Sequence, residues 1–185
     1  MKDTKGIFEK VETPLEGCYE ILSKVRGDNR GAFIKTFNID SFKELGLETN
    51  FKEAYYSTSI KNVLRGMHFQ TPPADHVKLV YCAVGKVLDV VVDLRKNSAT
   101  FGKHQKFYLD AKKGNMLYIP KGLAHGFLTL SDKVLMFYNQ TTVYSPENDK
   151  GILWNSCGID WNCDAPILSE RDKKHTAFAD FDSPF

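Results

Sequence analysis

The chain has 185 residues, 42% of them hydrophobic and 26% charged, which suits one soluble domain over residues 1–185 and is short for two. A formal net charge of +2, with Lys and Arg spread along the chain, argues against a nucleic-acid or membrane-surface protein but permits a local basic pocket for a phosphorylated ligand. No run approaches the roughly 18 apolar residues of a membrane span. Met1-Lys2-Asp3-Thr4-Lys5-Gly6 carries no apolar export signal, so a cytoplasmic location is expected. Cys18, Cys82, Cys157 and Cys163 show no CxxC or other metal-ligand spacing and read as reduced thiols.

In chain order, the first clear element is a helix over 38–45. Asn38 and Asp40 offer capping side chains ahead of apolar residues, and Gly46 stops it. The run 78–84, then Gly85-Lys86, then 87–94 reads as two strands of a hairpin. In the second of these, Leu88, Val90, Val92 and Leu94 share one face, while Val87, Asp89, Val91 and Asp93 share the other. Two carboxylates among valines point either to a partly polar barrel interior or to a solvent-facing surface. Short strands follow at 105–109, 116–119, 126–130 and 134–141, separated by turn-forming residues. The last forty residues read as loops with short helical pieces packed on the strands. The pattern predicts a mainly β protein, an antiparallel sandwich or barrel with few peripheral helices.

The segment Gly114-Asn-Met-Leu-Tyr-Ile-Pro120-Lys-Gly122-Leu-Ala-His125 is similar to the second sequence motif of cupins, G-x5-P-x-G-x2-H, and so implies a cupin-type jelly-roll barrel. The metal-binding first motif has two histidines one residue apart. Here Leu64-Arg65-Gly66-Met67-His68-Phe69-Gln70 supplies one, with Gln70 in place of the second. A metal site in such a barrel needs about three or four convergent ligands, and the motifs place only His68 and His125 inside. No metal or other cofactor is expected. A lone histidine is usually structural, but two of them, one near an arginine, favour acid–base work.

Longer matches carry a more specific resemblance. Val63-Leu64-Arg65-Gly66-Met67-His68-Phe69-Gln70 and Ile119-Pro120-Lys121-Gly122-Leu123-Ala124-His125-Gly126-Phe127 resemble the LRGLHxQ and IPxGxAHGF signatures of the dTDP-4-dehydrorhamnose 3,5-epimerase family. Asp28-Asn29-Arg30-Gly31-Ala32-Phe33, Asp93-Leu94-Arg95-Lys96-Asn97-Ser98 and Ile167-Leu168-Ser169-Glu170-Arg171-Asp172 match further family segments in the same order. The resemblance implies a cofactor-independent isomerase that inverts C3 and C5 of a dTDP-linked 4-keto-6-deoxyhexose. Both carbons flank the ketone, so each step needs a base on one face, a stabiliser for the enolate oxygen and an acid on the other face.

By resemblance, His68 is the base, Asp172 orients its ring, Lys78 faces the enolate oxygen and Tyr138 is the opposite acid. His125 matches a substrate-contacting histidine, and Asp89 is expected to orient it. Arg30 and Arg65 match residues that hold the diphosphate and nucleotide, a task that suits the planar guanidinium fork. Asp149 and Arg171 align with other substrate contacts. Lys35, Glu53 and Tyr55 stand at nucleotide-contacting positions where the family has different residues, which leaves the nucleotide open. The expected partners are a nucleotide sugar and a second copy of the chain, since the resemblance implies homodimers in which amino-terminal strands extend the partner's sheet; neither nucleic acid nor membrane is expected. Alternatives are a single-carbon epimerase, an epimerase of another nucleotide-linked 4-keto sugar, and a sugar-binding cupin without catalysis.

Overall fold

The computed structural model describes residues 6–185; the reading of the first five residues lies outside this range. In chain order the elements are β1 (Phe8–Glu12), β2 (Tyr19–Ser23), β3 (Arg26–Asp28), β4 (Gly31–Phe33), α1 (Ile39–Glu44), β5 (Glu53–Ile60), β6 (Leu64–Gln70), β7 (Lys78–Val84), β8 (Lys86–Asp93), β9 (His104–Asp110), β10 (Asn115–Ile119), β11 (Leu123–Thr129), β12 (Lys133–Gln140) and β13 (Asp149–Gly151). Short 3-10 turns follow at Asp172–Lys174 and Phe178–Asp180. One sheet has the order β1-β2-β10-β7-β12-β5, the other β13-β6-β11-β8-β9, and β3-β4 stands apart as a small hairpin. The ladders are antiparallel, and the two stacked sheets make a cupin-type sandwich.

Helix α1 forms as expected. Asn38 caps it by accepting from Ser41 N–H at 3.0 Å, and Phe42 on its buried face packs edge-on against Phe8. That contact covers the outer face of the first sheet, where Ile21, Leu79, Met116 and Tyr118 are buried. The outer face of the second sheet is covered by the carboxy-terminal segment, whose Ile152, Ile159 and Trp161 pack on Leu88, Val90 and Val92. Between the sheets lie Val80, Val87, Val91, Phe107, Leu117 and Phe127. Each such side chain contributes roughly 1.5–3 kcal/mol when fully buried.

Two sequence expectations change here. The runs on either side of Gly85 are not a hairpin: β7 pairs with β10 and β12, whereas β8 pairs with β9 and β11 in the other sheet. Gly85 is a corner between sheets, at φ +83°, where a Cβ would sit 2.4 Å from the Lys133 carbonyl oxygen. The local glycine signal is the same for both connections; only the partners differ. The ambiguity over β8 also resolves. Both of its faces are buried, with Asp89 and Asp93 at 0% exposure. Asp93 serves a turn: Arg95, Ser98 and Thr100 donate to it, and although burial raises its pKa, these bonds prevail and hold it down to about 2.

Candidate active site

A cavity of about 440 Å³ opens between the sheets at the end where β6, β7 and β12 converge. Its first wall is a pair of cross-strand rows. Gln140 stands opposite Glu53 on one side and Lys78 on the other; Tyr138 stands opposite Tyr55 and Val80. Alternation along the strands sends both rows inward. The second wall carries Arg65, His68, His125 and Phe127 from β6 and β11.

Arg65 and His68 are three residues apart, and simple alternation would put them on opposite faces. Pairing of His68 with His125 and of Arg65 with Phe127 takes three steps on β6 against two on β11. This bulge reverses the parity, so both side chains reach the cavity. Two glycines allow the strands to meet there. A Cβ on Gly66 (φ +142°) would lie 2.6 Å from Gly126 Cα, and one on Gly126 would lie 2.6 Å from Met67 Sδ. The glycines of the two sequence signatures are thus a steric pair.

His68 Nε2 lies 2.7 Å from Asp172 Oδ1, bringing together residues 104 positions apart. Asp172 is buried, and Gly66 N–H approaches its second oxygen at 3.4 Å. Burial raises the carboxyl pKa, but His175, His68 and the Gly66 amide more than reverse this and hold it well below the usual range. Burial lowers the His68 pKa against the pull of Asp172. An ionised carboxylate fixes the ring proton at Nε2 and leaves the Nδ1 lone pair to act as base. Among the described residues, His68, Asp172 and His175 are the group whose potential ligand atoms converge, within 4.8 Å. The 2.7 Å spacing is that of a hydrogen bond, and we read the group as proton-handling.

His125 Nε2 meets Asp89 Oδ2 at 2.8 Å, as expected from the polar strand face. Asp89 Oδ1 has no partner, and burial raises the Asp89 pKa in spite of His125. Lys78 is 8% exposed, with Nζ 3.5 Å from the His68 carbonyl oxygen. Burial lowers its pKa to about 8, while Asp149 and Asp89 resist the shift, so it stays largely cationic at neutral pH.

On the first wall, Tyr138 is 7% exposed and its hydroxyl lies 3.1 Å from Ser57 Oγ. Burial raises its pKa, which keeps the phenol protonated. Tyr55 stacks on it with ring centroids 4.7 Å apart and accepts a 2.6 Å hydrogen bond from Gln140 Nε2. Glu53 adds a carboxylate whose Oε2 is buried without a partner. Near the mouth, Arg171 Nη1 pairs with Asp149 Oδ2 at 2.7 Å, and Arg65 donates to Ser59 Oγ at 3.1 Å.

Arg30 and Lys35 are not brought to this cavity. Arg30 sits in the exposed turn between β3 and β4, bonded to Asp28, with a side chain 86% exposed. Lys35 follows that hairpin and is exposed as well. Each belongs to a segment that packs away from the cavity mouth of its own chain, so local sequence could not reveal the separation.

The family model for dTDP-4-dehydrorhamnose 3,5-epimerase matches residues 12–180. The chain belongs to the dTDP-4-dehydrorhamnose 3,5-epimerase family. It is 44% identical over 175 residues to the dTDP-4-dehydrorhamnose 3,5-epimerase of Shigella flexneri, covering 93% of this chain and 97% of the relative. The solved structure of the Elizabethkingia anophelis 3,5-epimerase is 40% identical, with a TM-score of 0.87 over 94% of this chain and 98% of that one. That of the Legionella pneumophila 3,5-epimerase, in complex with dTDP-4-keto-L-rhamnose, is 34% identical with a TM-score of 0.90, covering 95% of each chain.

Of the residues that depart from the family pattern, Glu53 and Tyr55 line this cavity, whereas Lys35 does not. Tyr55 stacks directly on Tyr138, and Glu53 shares a row with Gln140 and Lys78. Several lining residues escaped the sequence reading. Gln70, in the place of a metal-binding histidine, ties loops together: its amide donates to Ala74 O at 2.8 Å, and its Oε1 accepts from Ser145 N–H at 2.7 Å. His76 lies beside it, and burial takes its pKa down to about 3. Tyr144 and Ser57 also line the cavity, and His175 stands behind the dyad. Strand parity pointed to Gln140 and Ser57 once β5 and β12 were paired; the loop residues had no such signal.

Proposed function

We propose that the chain, as one epimerase domain over 1–185, inverts C3 and C5 of dTDP-4-dehydro-6-deoxy-D-glucose to give dTDP-4-dehydro-L-rhamnose. The observation that carries this reading is the opposition of His68, on the second sheet, to Tyr138, on the first, across one cavity. His68 Nδ1 takes the proton from the carbon beside the ketone. The C–H electron pair moves into the C–C bond and the carbonyl pair onto oxygen, where the Lys78 ammonium stabilises the enolate. Tyr138 then delivers its phenolic proton to the opposite face of the same carbon. Exchange with water restores the phenol and frees His68, and the cycle repeats at the second carbon.

Arg65 and Arg171 supply cationic donors for the diphosphate near the mouth. We assign the protein as a homodimer in which the β3–β4 hairpin of one protomer carries Arg30 and Lys35 to the partner's cavity. The support is an exposed hairpin, with Phe33 62% exposed, and β5 at an open sheet edge with Tyr56 and Ile60 exposed. No described helix is long and apolar enough to cross a membrane; we assign the protein to the cytoplasm, where its nucleotide-sugar substrate would be found.

The test is incubation with dTDP-4-keto-6-deoxyglucose in heavy water, followed by NMR. Deuterium at C3 and C5 with inversion at both supports the reading. Inversion at one carbon reassigns the protein as a single-site epimerase, and no exchange removes this substrate.

A further inference from the structure

The carboxylate that orients the base has a second histidine against it. His175 Nε2 lies 3.6 Å from Asp172 Oδ1, the same oxygen that His68 Nε2 contacts at 2.7 Å. The His175 side chain is 12% exposed, and its ring stands edge-on to that of His68, centroids 5.6 Å apart. Its Nε2 is buried without a hydrogen-bond partner among the described residues. A buried donor left unpaired is costly, and Asp172 is the acceptor next to it. The neighbourhood holds the ring in this place. Leu153 N–H donates to Thr176 O at 2.8 Å, and a Cβ on Gly151 would come within 2.5 Å of Nε2. Only glycine leaves room for the imidazole there.

We propose that His175 is a positioning residue for the epimerisation: its Nε2–H closes on Asp172 Oδ1 in the substrate complex and holds the carboxylate so that it orients His68 without binding the abstracted proton too tightly. The inference rests on His68 being the base. Catalytic hydrogen bonds are often long before substrate binds and tighten in the complex, which suits a 3.6 Å approach. A carboxylate that already receives one N–H spreads its charge over two partners, and its pull on the imidazolium of His68 is weaker. The other charged groups around His68 are Lys78 from β7, Arg171 beside Asp172, and Asp149 from β13, which is engaged by Arg171. The Asp89–His125 pair lies on β8 and β11. None of these contacts the shared oxygen.

The experiment is the pH profile of kcat/KM with dTDP-4-keto-6-deoxyglucose for the wild type, His175→Phe and His175→Gln. Phe keeps a flat ring over Gly151 and removes the donor; Gln keeps a donor. With the donor gone, Asp172 binds the His68 imidazolium more strongly, so the acid limb moves up by roughly half to one pH unit, a threefold to tenfold change in proton affinity. Below the limb kcat/KM falls by about that factor, whereas at neutral pH it falls by at most about threefold with KM little changed, and the Gln variant returns the limb toward the wild-type position. Gly151→Ala, which displaces the ring without replacing an ionisable group, is expected to move the limb in the same direction. An unmoved limb in the Phe and Ala variants, or a loss confined to KM, overturns the proposal. His68→Asn separates the two readings: if it retains the wild-type profile, the assignment of the base fails; if it is inactive while the His175 variants are unshifted, this inference fails alone.

Discussion

Two histidine–aspartate pairs stand in the second wall of the cavity with nearly equal bond lengths and opposite surroundings. His68 meets Asp172 at 2.7 Å with its side chain 29% exposed to the cavity; His125 meets Asp89 at 2.8 Å with side chains 4% and 0% exposed. The Asp172 carboxylate gathers several donors and titrates well below its ordinary range, whereas Asp89 keeps one oxygen unpaired and is shifted upward by burial. Equal distance therefore does not mean equal role. The open pair can exchange a proton with a ligand, and the sealed pair mainly fixes the wall and its field.

Substitutions sharpen that contrast. His68→Asn removes the proposed base and is expected to lower kcat/KM by roughly 10²–10⁴-fold with the melting temperature little changed, as measured by coupled assay and calorimetry. Asp89→Ala should act in the reverse sense. It breaks a buried pair at a cost of about 3–5 kcal/mol, seen as a fall in Tm on the order of 10 °C. If the two variants exchange these phenotypes, the distinction between open and sealed pair is lost. Gly66→Ala forces a Cβ against the Gly126 backbone and should cost about 2–4 kcal/mol by denaturant titration, together with loss of activity as the bulge that aims Arg65 and His68 is disturbed.

A further effect is confined to acid pH. His76 has a folded-state pKa of about 3 against an ordinary value of 6.5, so its neutral form is favoured in the fold. The unfolded chain binds the extra proton between these values. The contribution is thus fully present above about 6.5 and is lost as pH falls toward 3, at up to roughly 1.4 kcal/mol per pH unit. His76→Gln is expected to flatten the fall of Tm across that window.

Much of this contrast was legible in the residues. Alternation in β8 placed Asp89 beside a wall of valines, and the histidine of the glycine-rich turn was its natural partner. Helix α1 followed from Asn38 and the apolar spacing behind it. Asp172 was reachable only by resemblance, because nothing local in Glu170-Arg171-Asp172 indicates a partner on β6, far away in the chain. The hairpin expected at Gly85 was a corner, since a tight glycine turn does not say whether the next strand folds back or crosses to another sheet. Strands β5 and β6 were not anticipated as elements. The polar residues of β5 line a cavity on one face and meet solvent on the other, and the bulge in β6 breaks its period. His76, Tyr144 and His175 come from loops, whose positions are set by tertiary contacts such as those of Gln70 and Gly151.

The central claim is that base and acid approach the same carbon from opposite walls. Tyr138→Phe tests it most directly, by NMR in heavy water with dTDP-4-keto-6-deoxyglucose. His68 would still remove a proton, so the account predicts deuterium uptake into recovered starting sugar, with inversion strongly reduced and no uptake when His68→Asn is added. Normal inversion by the Tyr138→Phe protein, or uptake that survives loss of His68, would contradict it.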